Sequence, residues 1–217
     1  TGRDVKVLPK TVVYDPELTV TMPARLSATS GMNAMAHAVE GLYAQDRNPI
    51  ISLAAEECIR ALAVSLPKVV ANPGDMEARS DALYGAWLGG LVLGSVGMAL
   101  HHKLCHTLGG TFNLPHAETH TIVLPHAVAY NAPAAPEAMS RIARALGSKD
   151  AAQGLYDLEM QLGTPRALRE IGMPEPGIEE AVNLAVQNPY YNPRPVTREG
   201  IAELLRAAFR GERPVLA

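Results

Sequence analysis

Residues 101–126 read HHKLCHTLGGTFNLPHAETHTIVLPH, and this stretch carries six of the seven histidines of the chain. It lies inside a longer block, residues 82–136, in which Lys103 and Glu118 are the only Asp, Glu, Lys or Arg residues. Such a depletion of charge is typical of a buried core, where histidine is only moderately common. Buried imidazoles need partners for both ring nitrogens. The block therefore predicts a core in which histidines bind a metal, an anion or each other.

Spacing places several histidines on shared helix faces. His102 and His106 are four residues apart, as are Asn33 and His37 in an earlier stretch, and residues at this spacing share one face of an α-helix. His116 follows a Gly-Gly turn, so two helices and a turn can bring all five side chains to one pocket. Three imidazoles with one oxygen donor suit Zn²⁺ or Fe²⁺. The alternative is a set of core histidines bonded to backbone carbonyls.

The rest of the chain has the pattern of a helical domain. Thr11–Tyr14 is β-branched and aromatic and predicts one short strand. We expect a mainly α fold, a helical bundle with a short N-terminal strand segment. Residues 1–28 would form the strand and a linker, and residues 29–217 the helical domain. With Thr29 or Ser30 as the first cap and prolines at several ends, the predicted helices occupy about 31–44, 49–66, 75–99, 100–108, 117–129, 136–146, 150–163, 177–187 and 198–209.

Composition argues against several classes of protein. The 217 residues include 19 Lys and Arg against 22 Asp and Glu, a formal net charge of −3, which does not suit a nucleic-acid surface built on bulk positive charge. Cys58 and Cys105 are too few for a disulfide framework, so we expect a reducing, cytoplasmic compartment. Leu83–Leu100 carries no formal charge and is long enough for a membrane span. Its five glycines and the histidines that follow favour a buried helix of a soluble bundle instead.

Several motifs resemble one known family. They are Tyr14-Asp15-Pro16, GMNAMAHAVE at 31–40, residues 102–110, Pro115-His116 and LPH at 124–126. On these motifs nearly the whole chain resembles the C-terminal part of the iron-containing alcohol dehydrogenase family, and within it the maleylacetate reductase branch. The resemblance implies a dehydroquinate synthase-like helical domain, commonly dimeric, that works with NADH or NADPH. No glycine-rich phosphate loop is visible in this sequence, so we expect the nucleotide-binding half of the enzyme to lie outside this chain.

The resemblance also implies roles for individual residues. The three metal-binding histidines of the family match His37, His102 and His116, and Asn33 occupies the position of the metal-binding aspartate. An amide oxygen is a poorer ligand than a carboxylate, so a divalent metal such as Fe or Zn would be held less tightly. Without a metal, Asn33 and His116 would bind substrate oxygens. His106 matches a further active-site histidine close to the substrate and the nicotinamide.

The function that the resemblance implies is the reduction of maleylacetate to 3-oxoadipate with NAD(P)H in the degradation of aromatic compounds. Hydride transfer to the conjugated C=C bond places negative charge on the ketone oxygen, which needs a cationic or hydrogen-bonding group. We hypothesise that His106, His102 and His37 stabilise this charge. His101 and Lys103 are additional candidates for binding a substrate carboxylate.

Three other functions fit parts of the pattern. A metal-dependent alcohol dehydrogenase of the same family differs only in its need for Fe or Zn. A helical metal-dependent hydrolase is a second possibility, because clustered histidines also activate water, although such enzymes usually add aspartate ligands that the histidine-rich block lacks. The third is a helical assembly domain without catalytic activity.

Overall fold

The computed structural model describes residues 5–7 and 9–215, and over this part of the chain it is mainly helical, with no strand. The prediction of a mainly α fold is confirmed. Apart from short 3₁₀ turns, the described residues form nine α-helices: α1 (Ala24–Gly41), α2 (Pro49–Ala71), α3 (Met76–Ser95), α4 (Leu100–Phe112), α5 (His116–Asn131), α6 (Pro136–Leu146), α7 (Ala151–Leu162), α8 (Gly177–Ala185) and α9 (Arg198–Arg210).

Side-chain caps begin several of these helices. The Asn48 side chain accepts a hydrogen bond from the Ile51 N–H at 3.0 Å, and Asp75 accepts one from the Ala78 N–H at 3.0 Å. Each cap satisfies a backbone donor that has no partner within its own helix. The starts of α2 and α3 therefore agree with those predicted from Asn48-Pro49 and Asp75.

The helices enclose two apolar clusters that meet at α5. The first cluster is built mainly by α1, α2, α3, α6 and α7, with Leu124 and Val128 from α5. The second is built by α4, α8 and α9, with Ile122 and Val123 from α5. Because α1 and α4 both pack against α5, the histidine-bearing parts of these three helices lie along the seam between the two clusters.

Close packing of α3 fixes the position of α1. A Cβ atom at Gly89 would lie 2.7 Å from the carbonyl oxygen of Ala34, which is closer than side-chain carbons approach. Glycine at this position therefore lets α3 approach the α1 backbone directly, beside Asn33.

The N-terminal segment differs from the prediction. Thr11–Tyr14 forms no strand, and Val12 and Val13 are 57% and 82% exposed. A strand needs a partner for its backbone groups, and the described residues contain no second strand that could pair with it. The first helix also begins at Ala24 rather than near Gly31. The predicted division between residues 1–28 and 29–217 stays a prediction, although residue 28 itself lies within α1.

Two other helix boundaries differ from the prediction. Pro67 lies inside α2, which continues to Ala71, because buried Leu66 and Val69 hold the last turn in the first apolar cluster and offset the hydrogen bond that proline cannot donate. The uncharged stretch from Leu83 to Leu100 divides between α3 and α4. No single helix of the described chain is apolar and long enough to cross a membrane, and α3 and α4, which pass that test only as a pair, bend by 96° where they meet.

Candidate functional site

The site is built on one face of α1. Asn33, His37 and Glu40 are spaced at four and three residues, so helical geometry places them on the same side. Asn33 and His37 are partly buried, whereas Glu40 is fully buried. From this face Glu40 contacts the start of α4, and His37 stacks on His102 of α4.

Helices α4 and α5 complete an imidazole cluster, which comprises His37, His101, His102, His106, His116 and His120. The His37 and His102 rings stack with their centroids 5.0 Å apart, and the His102 and His106 centroids are 6.0 Å apart. From α5, the His120 ring lies 4.9 Å from His102 and 4.2 Å from His116. The structure therefore brings together the four histidines to which the sequence analysis assigned central roles.

The cluster has a buried floor and an open rim. His101, His102 and His120 are at most 3% exposed, while His106 and His116 are exposed. His106 and His116 are therefore the part of the cluster that a small molecule in solution can contact. Convergent polar side chains of this kind mark a candidate small-molecule site.

Glu40 connects α1 to the beginning of α4. Its Oε2 accepts a hydrogen bond from the Ala99 N–H at 2.7 Å, and its Oε1 accepts one from the His101 N–H at 2.7 Å. The Nδ1 atom of His102 lies 2.7 Å from Oε2. Burial raises the pKa of Glu40, and neighbouring His101 and the backbone N–H groups oppose that rise. The carboxyl group thus caps the start of α4 from within the core.

The rim carries a tyrosine that no sequence pattern singled out. The Oη atom of Tyr190 lies 3.2 Å from Nδ1 of His106, and the Lys103 ammonium lies 5.8 Å from the centre of the same tyrosine ring. Tyr190 belongs to the segment between α8 and α9, far from the histidines in sequence. This segment brings a hydroxyl group to the edge of the site, where Lys103 of α4 supplies a positive charge.

Four buried polar atoms of the site have no hydrogen-bond partner within the described residues. They are Asn33 Oδ1, His102 Nε2, and both ring nitrogens of His120. Buried polar atoms in folded proteins almost always have partners. A bound ligand would satisfy these atoms, so they mark where a ligand would be held.

The electrostatic environment favours the neutral form of five histidines of the cluster: His37, His101, His102, His106 and His120. Burial lowers the pKa of His37 to about 4 and that of His102 to about 3, and the other imidazoles add repulsion. Burial likewise lowers the pKa of His101 to about 3 and lowers the pKa values of His106 and His120. Near pH 7 these rings therefore act as neutral donors or acceptors of hydrogen bonds.

Two predicted substrate-binding residues have other neighbours. His101 Nε2 lies 3.0 Å from the carbonyl oxygen of His120, and its Nδ1 lies 3.4 Å from Nδ1 of His102. Lys103 faces Tyr190 as described. The roles of His101 and Lys103 in binding a substrate carboxylate stay predictions.

Sequence reasoning left Glu40 and His120 without roles. Glu40 lies inside the GMNAMAHAVE motif, three residues after His37, and His120 is four residues after His116, a spacing that could have identified it. His126 of the LPH motif lies outside the imidazole cluster. It lines a separate pocket with Tyr130, and burial lowers the pKa of His126 to about 4.

The nitrogen and oxygen atoms of this site are of the types that bind a divalent cation. His102 Nε2 and Asn33 Oδ1 are buried atoms that have no partner in the described part of the chain. Imidazole nitrogen with a neutral oxygen suits Zn²⁺ or Fe²⁺. Ring nitrogens of His101, His102 and His120 also lie within 4.8 Å of one another. His101 fits less well, because its Nε2 already lies within hydrogen-bond distance of the His120 carbonyl oxygen. A set without a carboxylate would hold the cation less tightly than one with an aspartate.

Comparison with known proteins gives concordant results. The profile of the Fe-containing alcohol dehydrogenase family, C-terminal, matches residues 27–209. Over its whole length the chain is 63% identical to a maleylacetate reductase from Sphingobium indicum, of which it covers 62%. It is 61% identical over 214 residues to a maleylacetate reductase from Burkholderia cepacia, with 99% of this chain and 61% of that protein covered.

A solved structure shows the same arrangement of helices. The crystal structure of a maleylacetate reductase from Agrobacterium tumefaciens matches 98% of this chain and 61% of its own chain, with a TM-score of 0.95 and 51% sequence identity. The chain therefore spans about three fifths of the length of the relatives it matches.

Proposed function

This chain belongs to the Fe-containing alcohol dehydrogenase family, and from that premise we propose that it forms the helical part of an NADH- or NADPH-dependent reductase of maleylacetate. The product would be 3-oxoadipate. The observation that carries the proposal is the convergence of His37, His102 and His106 in one cluster, with Asn33 in place of the family's aspartate. The names of relatives more than 60% identical support the same substrate.

The chemistry requires charge stabilisation at one oxygen and a proton at one carbon. Maleylacetate is a dianion with a C=C bond conjugated to a ketone. The reduced nicotinamide, when bound, supplies the hydride that adds to the alkene carbon farther from the ketone. The alkene electron pair then moves toward the ketone oxygen as an enolate, and a proton added to the carbon beside the ketone completes the saturated product.

His37 and His106 are suited to stabilise the enolate oxygen. Each is a neutral imidazole, because burial lowers its pKa, and a neutral ring can donate one N–H without carrying a charge into the site. The Tyr190 hydroxyl can donate to Nδ1 of His106, which leaves the His106 proton on Nε2. Since His106 is exposed at the rim, it can also exchange protons with solvent between turnovers.

Asn33, His37, His102 and His116 would hold a divalent cation if one is bound, and the cation would polarise the ketone oxygen. In its absence Asn33, His37 and His116 would contact substrate oxygens directly. Asn33 favours direct binding of the substrate more than an aspartate would, because a neutral amide does not repel a dianion. The low-charge surroundings of the cleft strengthen each polar contact.

Further parts of the proposal concern the whole protein. We propose that a nucleotide-binding half completes the dinucleotide site, that two copies form a homodimer, and that the enzyme works in the cytoplasm on a small dicarboxylate. The buried, unpaired state of Cys58 and Cys105 supports a reducing compartment.

Steady-state kinetics of the full-length protein tests the proposed function. Maleylacetate reduction is followed as the oxidation of NADH or NADPH. Alcohol oxidation is followed separately, as the reduction of NAD⁺ with primary alcohols. We expect turnover of maleylacetate in the presence of a chelator, with little alcohol oxidation. Preferential alcohol oxidation that depends on added Fe²⁺ or Zn²⁺ would contradict the proposal.

A metal-dependent alcohol dehydrogenase is the second candidate, because His102 Nε2 and Asn33 Oδ1 are lone-pair donors with no partner among residues 5–7 and 9–215. Asn33→Asp separates the two candidates. A carboxylate at this position increases affinity for a divalent cation, so we expect stoichiometric Zn²⁺ binding by calorimetry and a fall in maleylacetate reduction. Unchanged metal affinity with unchanged turnover would contradict the idea that Asn33 sets the choice between cation and substrate.

A further inference from the structure

The hydrogen bonds around Glu40 determine which ring nitrogen of His102 carries the proton. Glu40 lies fully buried between α1 and α4. Each of its two oxygens is 2.7 Å from a backbone N–H, that of Ala99 for Oε2 and that of His101 for Oε1. Backbone N–H groups can only donate. Both carboxyl oxygens are therefore acceptors already, and an ionised carboxylate satisfies this arrangement best.

The third neighbour of this carboxylate is Nδ1 of His102, 2.7 Å from Oε2. An ionised carboxylate only accepts hydrogen bonds, so Nδ1 must carry the proton. A neutral imidazole has one N–H, which leaves Nε2 of His102 with a bare lone pair. The Nε2 atom is buried and has no partner within the described residues.

His101 supports the same assignment from a different direction. Its Nε2 lies 3.0 Å from the carbonyl oxygen of His120. A carbonyl oxygen can only accept, so His101 carries its proton on Nε2 and a lone pair on Nδ1. That lone pair lies 3.4 Å from Nδ1 of His102. A proton on His102 Nδ1 makes this contact attractive, whereas a bare nitrogen would place two lone pairs opposite each other.

We propose that Glu40 is a positioning residue that holds His102 in the tautomer with its proton on Nδ1, so that Nε2 presents a lone pair to the site. Carboxylate partners of this kind fix ring orientation and tautomer in many histidine sites. Glu40 itself touches neither substrate nor cofactor in this scheme. It acts through His102 while it caps α4.

The assignment revises the hypothesis that His102 donates a hydrogen bond to the substrate ketone. A bare Nε2 can bind a cation or accept a hydrogen bond, but it cannot donate one. Stabilisation of the enolate oxygen by N–H groups then falls to His37 and His106. His102 becomes the acceptor of the site, opposite these donors.

Solid-state ¹⁵N NMR of the full-length, metal-depleted protein with ring-labelled histidine tests the proposal directly. The His102 signals are identified by difference from the His102→Gln protein. We expect protonated Nδ1 and bare Nε2 in the wild-type protein, which resonate in separate ranges. In Glu40→Ala the Nδ1 partner is gone, so the form with the proton on Nε2 should gain population.

Glu159→Ala is the matched control, because Glu159 is 1% exposed and lies outside the site. It should leave the His102 signals and turnover unchanged, whereas Glu40→Ala should lower kcat/KM for maleylacetate by about 10–100-fold. The turnover comparison rests on the proposed function and the tautomer measurement does not. The expected His102 signals in a protein without reductase activity would therefore refute the function and support the positioning role.

Two results would overturn the proposal. One is a wild-type His102 ring with its proton on Nε2, which would make Glu40 the donor. The other is a Glu40→Ala protein that folds, as judged by circular dichroism, and keeps the wild-type distribution of tautomers. If Glu40→Ala fails to fold, the wild-type spectrum alone decides.

Discussion

Glu40 on α1 and Glu159 on α7 are both buried glutamates, yet their surroundings differ completely. Glu40 is 0% exposed and has N–H donors on both oxygens, with His102 as a further partner. Glu159 is 1% exposed, and its Oε1 atom has no hydrogen-bond partner among the described residues. Burial raises the pKa of Glu159 well above its ordinary value, with only the charge of Arg166 opposing the rise.

The difference shows that burial alone does not decide what a carboxyl group does. At the start of α4 the backbone supplies donors that a carboxylate can satisfy, so the group organises the imidazole cluster. On α7 no such donor reaches Oε1, so the group is best buried as the neutral acid. Glu40 therefore stabilises the imidazole cluster, whereas Glu159 reduces the stability of the helices packed around α7.

Removal of Glu40 should have the largest effect. Glu40→Ala leaves the Ala99 and His101 N–H groups and the His102 ring without their partner. We expect the free energy of unfolding to fall by about 3–5 kcal/mol, as for the loss of one member of a buried pair. Urea unfolding followed by circular dichroism measures the change. A loss below about 1 kcal/mol would show that water or a shifted side chain replaces the carboxylate.

Replacement of Glu159 should act in the opposite direction. Glu159→Met keeps the length of the side chain and removes the unpartnered oxygen, so we expect a gain of about 1–3 kcal/mol at pH 7. Because the folded pKa is raised, the native state binds the proton more tightly than the unfolded state, and wild-type stability falls as pH rises above about 4.5. The gain should therefore shrink toward pH 4 in unfolding experiments. If Glu159→Met is less stable than the wild type at pH 7, the carboxyl group of Glu159 does not destabilise the fold.

The buried histidines should make the protein sensitive to acid. Folding lowers the pKa of His37 and of His126 to about 4, so between pH 6.5 and about 4 the unfolded chain binds protons that the folded chain does not. Stability must then fall as pH falls through this window. His126→Gln, outside the imidazole cluster, should reduce the slope by up to about 1.4 kcal/mol per pH unit. If the free energy of unfolding depends on pH equally in the wild type and in His126→Gln, His126 is not buried in its neutral form.

The smallest effect is expected at Arg166. This exposed residue supplies the attractive charge near Glu159, but a neutral Glu159 gains little from it, and solvent screens the interaction. We expect Arg166→Ala to change the free energy of unfolding by less than about 0.5 kcal/mol at pH 6. A loss of more than about 1 kcal/mol would mean that Glu159 is ionised, so that the two buried glutamates would differ in their partners but not in their charge.

Helical periodicity was sufficient to predict the fold class and the pairing of His102 with His106, because both depend on residues close in sequence. Glu40 could not be recognised as a cap of α4, since the two lie about 60 residues apart and only packing brings them together. Tyr190 reaches His106 from a segment without regular structure, which leaves no periodic signal. The prediction of a strand at Thr11–Tyr14 was wrong, because these residues favour extended backbone but have no partner strand among the described residues.

The position of α5 between the two apolar clusters has a consequence for folding. Leu124 belongs to one cluster and Ile122 to the other, and the imidazoles occupy the seam between them. Both apolar clusters therefore help to position the imidazoles. We expect the imidazole cluster to be lost in the same cooperative transition as the helices, which NMR of the ring nitrogens and circular dichroism can measure.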